Sequence, residues 1–91
     1  MNFLPELKRF LRTHRVIYSV RSYYLPVLGL VDIPGVGRCR RYYISEIRSK
    51  SELQEYVHRS GFESVEDWWK KIVGFNKTGP RHLYKVEKEV L

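Results

Sequence analysis

Residues 38–47, Arg38-Cys39-Arg40-Arg41-Tyr42-Tyr43-Ile44-Ser45-Glu46-Ile47, read as an extended strand. Strict alternation sets Cys39, Arg41, Tyr43 and Ser45 on one side and Arg40, Tyr42, Ile44 and Glu46 on the other. Arginine is rarely fully buried without a partner, so one of these faces must be wet. Immediately upstream, Ile33-Pro34-Gly35-Val36-Gly37 places Pro and Gly as a tight reversal needs. Before it, Val27-Leu28-Gly29-Leu30-Val31 follows a break at Pro26 and reads as a second strand. Further upstream, Val16, Tyr18 and Val20 alternate with Ile17, Ser19 and Arg21, the period of a half-buried strand. Residues 1–12 read as a short helix. Pro5 suits its first turn; Leu4, Leu7 and Leu11 share a face with Phe3 and Phe10 beside them, and Lys8, Arg9 and Arg12 lie opposite.

Downstream, residues 51–75 carry the signals of a helix pair. Ser51 with Gln54, or Ser49 with Glu52, forms a capping box, and Leu53, Tyr56 and Val57 give the first helix its apolar face before Gly61 stops it. Ser64 caps the second helix, with Glu66 and Asp67 in its first turn and Val65, Trp68, Trp69, Ile72 and Phe75 as its buried stripe. After a loop containing Gly79-Pro80, residues 82–90 form a last strand with Tyr84, Val86 and Val90 on one face. No linker, repeat or low-complexity stretch divides the chain, so residues 1–91 are taken as one domain. Strands separated by helices, without one-for-one alternation, predict an α+β fold with a mostly antiparallel, curved or barrel-like sheet flanked by short helices.

The 91 residues carry 17 Lys and Arg against 10 Asp and Glu, a net charge of +7. The excess belongs to one half: residues 1–50 hold ten basic and three acidic residues, and residues 51–91 hold seven of each. Eight of the ten are arginines, whose planar fork suits phosphate oxygens, so the expected partner is a polyanion. No apolar run of about 18 residues exists, so no membrane partner is expected, and the start lacks the basic-then-apolar order of a secretory signal. With one cysteine, Cys39, no intramolecular disulfide framework is available, and the expected compartment is the cytoplasm. The absence of alanine and the scarcity of Gln and Asn fit a protein of a hot habitat.

Chemistry-bearing groups are sparse. His14, His58 and His82 are scattered, and none has a second ligand type at metal spacing, so neither a metal nor a cofactor is expected. Cys39 lies between Arg38 and Arg40, where positive charge favours the reactive thiolate; a small strand side chain facing the core is the simpler reading. No Gly-x-Ser-x-Gly is present, and Gly35-Val36-Gly37 is a hairpin turn rather than a phosphate loop. At least one of Trp68 and Trp69 belongs to the core. Tyr23, Tyr24, Tyr42 and Tyr43 interleave with Arg21, Arg38, Arg40 and Arg41, and a sheet carrying cations and π-faces is what single-stranded nucleic acid needs. Alternation sends about half of these tyrosines to the core.

The segment Ser60-Gly61-Phe62-Glu63-Ser64-Val65-Glu66-Asp67-Trp68-Trp69, followed by Leu83-Tyr84-Lys85-Val86, resembles the C-terminal half of ASCH domains, which are small PUA-like β-barrels often associated with RNA binding. Val36 to Ile44 is similar to that family's central strand, and the likeness covers roughly residues 13–90. The family's cleft motif, Gly-x-Lys-x-x-Thr-x-Arg, has its nearest counterpart in Thr13-His14-Arg15-Val16-Ile17-Tyr18-Ser19-Val20-Arg21. Ser19 and Arg21 match the Thr-x-Arg end; Arg15 stands for the lysine only with one extra residue, and Thr13 replaces the glycine.

The resemblance implies an RNA-binding module. Arg15, Arg21, Arg38, Arg40 and Arg41 would meet phosphates, and Ser19 with Tyr18, Tyr23 or Tyr42 would line a base-sized cleft beside the barrel. Some members of the family resemble ribonucleases or amidohydrolases of a modified nucleoside, which makes Arg15, Ser19 and Glu46 the candidate catalytic residues. An arginine does not deprotonate to act as a base, which favours binding over hydrolysis. A third reading is an interaction module that forms a homodimer along an exposed sheet edge.

Overall fold

In the computed structural model, residues 2–25 and 28–89 are described; Pro26, Val27 and Val90, which enter the strand expectations, lie outside them. The elements in chain order are α1 (Pro5–His14), β1 (Val16–Arg21), β2 (Gly29–Ile33), β3 (Gly37–Glu46), two 3₁₀ turns (Lys50–Leu53 and Val57–Arg59), α2 (Val65–Phe75) and β4 (His82–Lys88). The four strands form one open antiparallel sheet in the order β1-β4-β3-β2, so the chain is α+β.

Period-two patterning explains both layers around the sheet. Ile17, Ile33, Cys39 and Val86 point to one face, where Phe3 and Leu11 from the α1 side complete a buried cluster. Leu83 points to the opposite face, where it packs with Ile47, Leu53, Val65, Trp68 and Ile72, flanked by Tyr18, Val20 and Ile44. Trp68 is buried and Trp69 half-buried beneath the Arg81 guanidinium, so the tryptophan pair divides as expected. Helix α1 runs two residues past its expected end and closes at Arg15, whose left-handed backbone (φ 68°) lets its N–H reach the Leu11 carbonyl at 2.8 Å. A non-glycine residue in that region costs about 1–2 kcal/mol.

The β2–β3 reversal has Pro34 and Gly35 (φ 83°) at its centre, with Val36 N–H donating to the Ile33 carbonyl at 2.9 Å, the pattern of a type II turn. The Arg12 guanidinium donates to the Gly35 carbonyl at 2.9 Å and ties this turn to α1.

Two expectations are corrected. The first helix of the expected pair is two 3₁₀ turns, because Leu53, Tyr56 and Val57 supply too short a stripe to carry a longer α-helix. Its start uses Ser49 and Glu52 rather than Ser51 and Gln54: the Glu52 carboxylate accepts the N–H groups of Arg48 at 2.7 Å and Ser49 at 2.6 Å. The second correction concerns β3. A bulge between Tyr43 and Ser45 makes Ile44 the extra residue, so Ser45 stands opposite Leu83 and Glu46 opposite His82. Ser45 therefore joins the α2 face and Glu46 the α1 face, the reverse of strict alternation.

The segment after β1 is held by one side chain. The Tyr84 hydroxyl, on a fully buried residue, donates to the Tyr23 carbonyl and accepts from Leu25 N–H, both at 2.7 Å. Tyr84→Phe strands both backbone groups and should lower unfolding stability in urea by about 1–2 kcal/mol, with faster hydrogen exchange at the Leu25 amide. The two amides on Glu52 hold its carboxyl below the usual carboxylate range. Because that pKa is depressed in the folded state, its stabilisation is present above the unfolded value and lost as pH falls through the folded one. Glu52→Gln should therefore flatten the acid limb of the stability–pH curve below about pH 4.5 in denaturant titrations.

Candidate nucleic-acid interface and edge cleft

The sheet separates the expected site residues into two groups on opposite faces. Tyr18, Tyr42, Arg40 and Arg38 lie on the α2 face; Ser19, Arg21 and Arg41 lie on the α1 face. Arg15 stands apart, exposed at the junction of α1 and β1.

On the α2 face the helix covers only the end of the sheet around Val20, Leu83 and Ile44. The rest is open. Register places Tyr18, Lys85 and Tyr42 in one row across β1, β4 and β3, and Val16, Glu87, Arg40 and Leu30 in the next. The Lys85 ammonium sits 5.3 Å from the centre of the Tyr42 ring and 3.4 Å from the Glu87 carboxylate. Arg40 reaches Glu89 at 3.4 Å, and Arg38 reaches Asp32 at 3.8 Å with both side chains mostly exposed. Such exposed pairs contribute about 0–1 kcal/mol, so these cations can exchange partners at little cost. Tyr18 rests edge-on against Tyr56 at 4.9 Å, and Leu30 is 60% exposed.

On the α1 face, beyond the helix, the rings of Tyr23, Tyr24, Tyr43, His82 and Tyr84 pack in tilted and edge-on pairs with centroids 4.8–5.7 Å apart. The Tyr43 hydroxyl and His82 Nδ1 are 3.0 Å apart, and burial pushes both the Tyr43 and Tyr84 phenols up. Arg41 folds back across Gly29: a Cβ there would lie 2.8 Å from the Arg41 Cζ, so a side chain at this position would displace the guanidinium. The Arg41 Nε is buried without a hydrogen-bond partner. Arg41 is half-buried and lies on the face opposite Arg38 and Arg40.

The outer edge of β1 borders a cleft of about 500 Å³ between α1 and α2, with Phe3, Leu7, Phe62, Trp68 and Ile72 among its walls. Arg21 enters it from the strand. Its Nε donates to the Ser19 hydroxyl at 2.9 Å, its guanidinium lies 4.6 Å from the centre of the Phe3 ring, and burial pushes its pKa down.

The three candidate catalytic residues do not converge. Arg15 and Ser19 are four residues apart along a strand, about 13 Å, and Glu46 lies two strands from β1, about 10 Å across. Glu46 instead pairs with Arg48 at 3.9 Å. Among the described residues, no three His, Cys, Asp or Glu side chains gather as metal ligands. Sequence reading missed Lys85 and Phe3 as members of either site. Lys85 sits on a strand face that reads as merely charged, and Phe3 reads as an accessory to the apolar stripe of α1.

No family model, curated protein or solved structure matches the chain. No described helix is long and apolar enough to cross a membrane.

Cys39 is fully buried, and desolvation pushes its thiol up against the opposing pull of Lys88. Reaction with an aromatic disulfide at pH 8 should therefore be absent in the native protein over minutes and complete on unfolding in guanidinium.

Proposed function

We propose that the chain binds single-stranded nucleic acid, RNA in preference to DNA, on the open half of the sheet. The supporting observation is the row Tyr18–Lys85–Tyr42 with Arg40 beside it, which alternates π-faces and cations across three adjacent strands. Bases would stack on Tyr42 and on the exposed part of Tyr18, while Arg38, Arg40 and Lys85 would take phosphates in exchange for their weak carboxylate partners. Arg15 extends the basic rim from the α1 junction. The one-sided charge of residues 1–50 supports the same reading.

Within this proposal the ASCH likeness has a definite place. The Gly61-Phe62 stop, the Ser64 cap and a final strand are all present, with Gly61 at φ 87° and Ser64 accepting from Asp67 N–H at 3.1 Å. A PUA-like barrel would further require closure between the edges β1 and β2, which are separated by two strands in this sheet. In this reading Arg21 and Arg41 leave the phosphate-binding set, and Ser19 and Tyr23 leave the base-contacting set, because they belong to the opposite face. A second reading, a homodimer, draws on Leu28 and Leu30, which are more than half exposed beside the free edge β2. Cytoplasmic residence remains part of the proposal.

The test is fluorescence anisotropy with a labelled 12-nucleotide single-stranded RNA, alongside duplex RNA and DNA. Three or four neutralised phosphates predict a log–log salt slope of about −2 to −3. Tyr42→Ala should weaken binding by about 5- to 150-fold, the worth of one stacked base, and Arg40→Glu should weaken it and flatten the slope. A flat salt response, or equal binding by Tyr42→Ala, overturns the assignment. A concentration-dependent mass in sedimentation that is lost in Leu30→Lys would favour the dimer instead.

A further inference from the structure

The open face shares only Tyr18 with the lining of the cleft at the β1 edge, and that cleft has its own chemistry. We propose that it binds a small apolar carboxylate, with a ring or short acyl chain seated among Phe3, Phe62, Trp68 and Ile72 and its anionic head on the Arg21 guanidinium.

Size and lining come first. A volume of about 500 Å³ walled mainly by aliphatic and aromatic side chains falls within the range of small-molecule sites. Charge then selects the head group. The charged residues lining the cleft are Arg21 and Lys71, and no Asp or Glu lines it. Arg21 is half-buried, yet among the described residues it forms no ion pair, and its one hydrogen bond is from Nε to Ser19. A half-buried cation without a counter-ion has lost part of its hydration without a paired charge in return, so an anion entering the cleft would offset that loss.

Geometry narrows the anion to a carboxylate. The bond to Ser19 and the stacking on Phe3 hold the guanidinium in one orientation and leave its two terminal nitrogens without a protein acceptor. A planar fork with two free donors matches a carboxylate in bidentate fashion. Because the fork is held before the ligand arrives, little side-chain entropy is lost on binding. Lys71, exposed at the rim, adds long-range attraction without closing on the head group.

The probe is 8-anilinonaphthalene-1-sulfonate, an apolar aromatic anion, titrated against the full chain at pH 7, followed by competition with 4-phenylbutyrate and with 4-phenylbutanol. One saturable site, displaced by the acid at concentrations at least tenfold below those of the alcohol, is expected. Arg21→Gln should weaken the acid at least tenfold while leaving the melting temperature unchanged or higher, because it removes an unpaired, partly buried charge. Tyr42→Ala should leave the acid's affinity unchanged, which separates this site from the nucleic-acid face. Amide chemical shifts of unsubstituted protein supply a readout independent of any variant: 4-phenylbutyrate should move Ser19, Arg21, Phe62 and Ile72. Absence of a saturable site, equal competition by acid and alcohol, wild-type affinity in Arg21→Gln, or shifts confined to other residues would each overturn the proposal. So would stronger displacement by uridine monophosphate than by the acid.

Discussion

Strand β4 is buried on both faces at its Leu83–Tyr84 end, and much of the molecule follows from that constraint. Val86 meets the α1 layer, Tyr84 meets the segment after β1 through Tyr23 and Leu25, Leu83 meets the α2 layer, and all three are fully excluded from water. A strand with apolar groups on both sides must have a cover on each side and a neighbour on each edge. The two helices supply the covers and β1 and β3 supply the neighbours. Burying each large side chain of this kind stabilises the fold by about 1.5–3 kcal/mol, so in a chain of 91 residues these few positions weigh heavily.

Neither helix covers its whole face, and the two uncovered regions differ in chemistry. On the α2 face the uncovered part is mixed in charge and aromatic, and its cations pair with the exposed or half-buried carboxylates of Asp32, Glu87 and Glu89. At the β1 edge the uncovered part is concave and apolar, and its Arg21 has no carboxylate partner among the described residues. An extended polymer suits the first surface and a compact ligand suits the second. The same sheet thus separates arginines that are neighbours in sequence: Arg40 faces the open surface, whereas Arg41 is folded over Gly29 and packed away.

Much of the fold was legible because local chemistry decided it. The period-two runs at residues 16–21 and 38–47, the Pro34-Gly35 turn and the Ser64 cap each carry their own local signal. The bulge at Ile44 carries none, since an extra residue in a strand looks like any other member of the alternation, and it moves Ser45 and Glu46 to unexpected faces. The 3₁₀ turns escaped notice because a capping box followed by a short apolar stripe also begins an α-helix. For the site, alternation already separated Arg40 and Tyr42 from Arg41, and Tyr18 from Ser19 and Arg21. What it could not supply was the pairing of β1 with β4, which depends on residues more than sixty positions apart. Only that pairing reveals that Tyr18 and Tyr42 share a face with Lys85 between them, and that Arg21 and Glu46 are two strands apart.

The position of β4 also sets the order of events during synthesis. It is the last strand to emerge and it occupies an interior place between β1 and β3, so the β2–β3 hairpin can form early but the sheet cannot. Until then β1 has no partner, and the apolar sides of α1 and α2 have no complete sheet to cover. Closing β1 onto β4 joins segments over sixty residues apart, a non-local contact of the kind that slows folding. The nascent chain therefore holds exposed apolar surface until residues 82–88 leave the ribosome, and its window of vulnerability to aggregation is set by the rate of translation as much as by the rate of folding.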